Sequence, residues 1–133
     1  MRYLLDTNVC IDYLTARYPP VIGRLQRVSP EDLCVSSIAA AELRYGADKS
    51  GNPSRNHARL DVLFAEMRCL EFDLAAAAAY GALRARLERD GRPIGAHDML
   101  IAAHALSAGL VLVTDNVREF ARVRGLTLEN WRL

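Results

Sequence analysis

A chain of 133 residues is the size of one domain with a real core, and 51% hydrophobic with 25% charged residues is an ordinary globular composition. No apolar run approaches the length of a membrane span, and Asp6 interrupts the first hydrophobic stretch before a signal pattern forms, so the cytoplasm is the expected compartment. The net charge of +1 hides a lopsided basic set: Lys49 is the only lysine among 17 basic residues, and arginine favours bidentate phosphate recognition.

The chain begins on Tyr3-Leu4-Leu5, an apolar run that stops abruptly at Asp6-Thr7-Asn8, with the amphipathic Val9, Ile11, Tyr13 and Leu14 directly behind it. This pattern predicts a buried strand entering a helix, which delivers Asp6 to the carboxyl end of the strand, where open α/β sheets bind ligands. Asp6 is then either a helix N-cap or the first carboxylate of a site. Tyr18-Pro19-Pro20 breaks the helical pattern, and Val21, Ile22, Leu25 and Val28 resume it. Leu33-Cys34-Val35 reads as a short strand, with Ser36 and Ser37 as cap candidates for a helix from Ile38 to Ala47. Lys49 to Asn56 reads as a loop, followed by a helix from about Arg59 to Met67 and a third strand over Cys69 to Phe72.

Asp73 is placed to cap a long helix through Arg89 that stops at Asp90-Gly91. Beyond the loop Gly91 to Gly95, a helix runs from about Ala96 to Ser107. Leu110 to Thr114 is a strongly β-type run ended by Asp115-Asn116. A short helix over Val117 to Val123 and an edge strand at Leu126 to Leu128 complete the chain. Strands alternating with helices predict an α/β fold, a parallel sheet with helices on both faces, in a single domain spanning 1–133. Cys10, Cys34 and Cys69 form no CxxC pair, which argues against a disulfide framework or a thiolate zinc site; Cys34 and Cys69 read as small buried hydrophobes.

Asp6 and Asp115 both follow apolar strands, so both belong at the carboxyl edge of the sheet. Glu42 could be a solvated helix residue, and Asp98 could complement a helix dipole. Their neighbours argue otherwise: Glu42 lies among Ala39, Ala40, Ala41 and Leu43, and Asp98 precedes Met99-Leu100-Ile101. Carboxylates in apolar surroundings need a partner, and one divalent cation serves several at once. Oxygen donors without soft ligands favour Mg²⁺ or Mn²⁺. His97 and His104 lie about 10 Å apart along one helix, too far to share an ion. His97 therefore reads as a surface or core residue that can touch the site beside Asp98.

Four stretches, in this order, resemble the motifs of PIN-domain ribonucleases, above all the VapC toxins of type II toxin–antitoxin pairs. They are Leu4-Leu5-Asp6-Thr7-Asn8; Ser36-Ser37-Ile38 with Ala41-Glu42-Leu43; Pro93-Ile94-Gly95 before Asp98; and Val113-Thr114-Asp115-Asn116 with Arg118-Glu119-Phe120. The resemblance spans Leu4 to Trp131. It implies a PIN-like three-layer sandwich with catalytic, metal-coordinating carboxylates at Asp6, Glu42 and Asp98, holding Mg²⁺ or Mn²⁺. Thr7, Asn8 and Thr114 would support them by hydrogen bonds. A fourth acid of the family falls at Asn116 here, leaving Asp115, Asn116 and Glu119 as candidates to complete the site. The resemblance further implies cleavage of structured RNA such as tRNA or ribosomal RNA, a homodimer with no membrane association, and a small antitoxin lying in an apolar groove.

Two other classes gather acids at a sheet edge. A receiver domain wants a lysine at the end of a late strand, and Lys49 lies in a loop. A haloacid-dehalogenase-like phosphatase wants a second Asp two residues after the first, where this chain has Asn8.

Overall fold

The structure, a computed structural model, describes residues 1–133. Along the chain it contains β1 (Tyr3–Leu5), α1 (Thr7–Thr15), α2 (Pro19–Arg27), β2 (Leu33–Ser36), α3 (Ser37–Asp48) and α4 (Pro53–Glu66). Then come β3 (Arg68–Leu70), α5 (Leu74–Arg89), α6 (Ala96–Ala108), β4 (Val111–Val113), α7 (Val117–Phe120) and β5 (Leu128–Glu129). The five strands form one sheet in the order β3-β2-β1-β4-β5, every pair parallel.

That order reverses direction beside β1. From β1 the chain steps outward through β2 to β3, then crosses to the other side of β1 for β4 and β5. Right-handed crossovers in opposite directions put α1 to α4 on one face of the sheet and α5 and α6 on the other. The reversal opens a crevice between the carboxyl ends of β1 and β4, the usual ligand position in such sheets. Leu5 pairs with Val35 on one side and Val113 on the other. The next residues, Asp6, Ser36 and Thr114, therefore form a polar row along the carboxyl edge, and all three are buried.

Each of these residues is satisfied by a local bond that also starts or anchors an element. Asp6 caps α1 by accepting from the Thr7 N–H, and Ser36 caps α3 by accepting from the Ile38 N–H. Ser36 Oγ also pairs with His104 Nδ1 at 2.8 Å, tying α6 to β2. Below the row, Leu4, Leu5, Val35, Leu112, Val113, Ile101 and Phe120 form the dry centre of the core. Each such side chain contributes on the order of 1.5–3 kcal/mol through burial.

Several boundaries differ from those the sequence predicts; α7, for one, ends at Phe120 and not at Val123, and β4 spans only Val111–Val113. Helix α4 begins at Pro53, six residues before Arg59, because Asn52 accepts from the Arg55 N–H and Pro53 occupies the first helical turn. The polar, proline-containing composition that reads as loop is here a helix start. Strand β3 ends at Leu70, and the Phe72 N–H leaves the ladder to donate to Ser37 Oγ. The last strand is Leu128–Glu129, not Leu126 to Leu128. Cys34 is fully buried as expected, but Cys69 is exposed on β3, one of the two edge strands.

Candidate metal centre

Two carboxylates and an imidazole meet in the crevice. One donor atom each from Asp6, His97 and Asp98 lies within 4.8 Å of the others. Asp6 arrives at the end of β1. His97 and Asp98 occupy the first turn of α6, whose N-terminus points to this edge because α6 runs back toward the start of β4. On an octahedral Mg²⁺ or Mn²⁺ ion, ligands lie about 3 Å apart when adjacent and about 4.2 Å apart when opposite, so binding an ion would draw the three donors closer together. The donor set fits a divalent cation.

Asp6 is oriented from both sides. Its Oδ1 accepts from the Thr7 N–H at 2.8 Å and its Oδ2 from the Thr114 hydroxyl at 2.9 Å. Asp6 is both a helix cap and a member of the crevice group. Burial raises its pKa, opposed by the Thr114 and Thr7 bonds and the nearby His97, with the Asp115 charge raising it further.

Asp98 lies against Glu119, close enough for the two carboxyls to compete for a proton. Burial, that contact and the charges of Asp6, Glu119 and Asp115 push Asp98 up to about 7. Glu119 is held below its ordinary range by the contact with Asp98, the Gly95 N–H and the Asn116 amide. Asp98 is therefore the member of the metal-free pair that takes up a proton more readily. Glu119 also stands in for a missing helix cap. Gly95, at the α6 N-cap, has no side chain, and Glu119 Oε1 accepts its N–H at 2.7 Å. Glu119 thereby pins the turn that presents His97 and Asp98.

The remaining candidates fall at the rim. Glu42 is not buried among its apolar sequence neighbours: its side chain is 51% exposed, and its Oε2 lies 3.8 Å from His97 Nδ1. Neighbouring residues on a helix face different directions, so Ala39 and Leu43 enter the core while Glu42 turns outward. Glu42 also sits about 7.5 Å along α3 from the sheet edge, outside the three-residue group. Asp115 is occupied elsewhere, accepting from Arg132 Nη1 at 2.9 Å and from the Asn8 amide at 3.4 Å. Asn116 is tied to its neighbours: its amide donates to Glu119 at 2.7 Å and its N–H to Thr114 Oγ1 at 3.0 Å.

His97 is the member of the crevice group that the sequence marks least. Separation from His104 excludes a two-histidine site but not a mixed one, and adjacency to Asp98 in the first turn of a helix was the available signal. His104 is buried against Ser36 and Phe72 and has no part in the crevice.

The PIN domain family model matches residues 3–126. The chain is 42% identical over 131 residues to the tRNA(fMet)-specific endonuclease VapC of Shigella flexneri, covering 98% of each chain. It is equally identical over the same length to ribonuclease VapC2 of Haemophilus influenzae, again with 98% of each chain covered. The crystal structure of DNA-bound VapBC from Salmonella typhimurium superposes with a TM-score of 0.93 at 40% identity, over 98% of both chains. The chain belongs to the PIN-domain family, within its VapC ribonucleases.

Proposed function

We propose that this chain is a divalent-metal-dependent endoribonuclease, the toxin of a toxin–antitoxin pair, which works on structured RNA as a homodimer until a small antitoxin blocks it. The observation that carries the metal-dependent part is the convergence of Asp6 and Asp98 within 4.8 Å at the switch point of the sheet. Bound Mg²⁺ or Mn²⁺ would supply Lewis-acid activation of water and offset charge as the phosphodiester breaks.

The chain's own residues prepare that chemistry. Thr7 and Thr114 fix both oxygens of Asp6, so the carboxylate needs no reorganisation. A bound cation would require Asp98 without the proton that burial and the charges of Asp6, Glu119 and Asp115 favour there, while Glu119, bonded to the Gly95 N–H and the Asn116 amide, would stay ionised beside it. Arg118 and Arg122 are exposed on the Glu119 side of the crevice, where they can hold RNA phosphates. On the other side a groove of about 440 Å³, lined by Ile11, Leu14, Leu43 and Leu60, opens beside Thr7, Asn8 and Glu42. An antitoxin chain laid there reaches the rim of the site. No helix is long and apolar enough to cross a membrane.

The S. flexneri relative is named for tRNA(fMet), which is therefore the first substrate to try. We expect cleavage that requires Mg²⁺ or Mn²⁺, stops with EDTA and falls at least about 100-fold in Asp6→Asn. Induction in a bacterial host should arrest growth. Undiminished cleavage by Asp6→Asn would remove Asp6 from the metal centre.

A further inference from the structure

His97 is the one nitrogen donor in a crevice otherwise built of carboxylates, and three contacts hold it there. Its Nε2 lies 3.3 Å from Thr7 Oγ1, directly beside Asp6, a contact that a cation would replace, and its Nδ1 faces Glu42 Oε2 at 3.8 Å, beyond a hydrogen bond. The third is its place in the group shared with Asp6 and Asp98. A histidine at a helix surface has no need to turn inward; this one spans from the end of β1 to α3. We propose that His97 ligates the metal through Nε2, making the centre a mixed nitrogen–oxygen site that favours Mn²⁺ over Mg²⁺, with Glu42 orienting the imidazole. This rests on the metal-dependent reading above.

The chemistry follows from the ligand types. Mg²⁺ prefers oxygen donors throughout, whereas imidazole suits the transition metals, so replacing one oxygen by nitrogen shifts the balance. A ligating histidine commonly presents its other ring nitrogen to a carboxylate, which fixes the ring and its tautomer. Glu42 on the Nδ1 side supplies that carboxylate. Its exposed position at the rim, outside the donor group, suits an orienting role.

The test uses the whole protein and Mn²⁺ itself as the probe. Pulsed EPR of the Mn²⁺-loaded chain should show hyperfine coupling to an imidazole nitrogen nucleus, lost in His97→Phe, which keeps a ring but no donor. Calorimetry should show Mn²⁺ affinity falling about tenfold in His97→Phe while Mg²⁺ affinity changes less than about twofold. Mn²⁺ that binds, needs Asp98 (no binding in Asp98→Asn) and yet shows no nitrogen coupling would overturn His97 ligation and leave the metal centre standing. Mn²⁺ that fails to bind, or binds equally to Asp98→Asn, would overturn the metal centre and His97 ligation together. The wild-type spectrum decides the nitrogen question even if the variant folds poorly.

Discussion

Arg132 grips Asp12 with two parallel bonds, Nε to Oδ2 at 2.6 Å and Nη2 to Oδ1 at 2.9 Å, joining the end of the chain to the buried side of α1. The same guanidinium sends Nη1 to Asp115 and lies 4.1 Å above the Tyr18 ring. One side chain thus neutralises a buried carboxylate and restrains another at the rim of the crevice. Nearby, Arg24 stacks on Trp131 and bonds Glu129, so the C-terminal segment is fastened at two points.

Arg132→Met should destabilise the chain by about 3 kcal/mol, at the lower end for breaking a buried pair because the guanidinium keeps some contact with water. Urea denaturation measures it. Asp12→Asn added to Arg132→Met should cost little more, because the uncompensated charge is gone. Fully additive losses would show that the pair is not coupled.

Asp98 makes stability pH-dependent in the absence of metal. Its folded pKa is about 7 against an ordinary value of 3.8, so between those values the folded chain binds the extra proton. Its contribution to stability is then fully present below about pH 4 and is lost as pH rises through about 7. The raised Asp6 acts in the same direction. Glu119, lowered from 4.5, acts oppositely, but only at more acidic pH. Denaturation in EDTA from about pH 5 to 8 should show falling stability in wild type and a flatter profile in Asp98→Asn. Parallel profiles would place the titration elsewhere.

The parts of the site carried by local sequence were legible. An apolar run ending in Asp-Thr-Asn places Asp6, and the run from Leu110 places Thr114, because a strand's end fixes its next residue at the sheet edge. The α/β alternation was equally plain, since each strand and helix has its own period. What stayed hidden depends on long-range packing. Nothing near Asp115 indicates that Arg132 will occupy it, and nothing near Gly95 indicates that Glu119 will cap its helix. Glu42 misleads because its apolar neighbours in sequence are not its neighbours in space. Cys69 is exposed because strand order, which no local pattern encodes, makes β3 an edge.

Glu119→Gln tests the competition between Asp98 and Glu119 for a proton. Removing the charge and the strong acceptor should lower the Asp98 pKa toward the ordinary carboxylate range, while burial keeps it partly raised. Carboxyl-carbon NMR titration in EDTA reads the shift directly. An Asp98 midpoint unmoved by the substitution would mean that burial alone sets it.

Melting curves at about pH 8 test most directly whether Asp6 and Asp98 share one cation: wild type and Asp98→Asn, each in EDTA and in Mn²⁺. Without metal, like charges close together in a partly dry crevice repel by on the order of a few kcal/mol at an effective dielectric near about 20. A cation removes that repulsion and stabilises the fold by mass action. Asp98→Asn should therefore melt several degrees above wild type in EDTA and gain markedly less from Mn²⁺. An Asp98→Asn chain that melts below wild type in EDTA and gains as much from Mn²⁺ would contradict a shared metal centre.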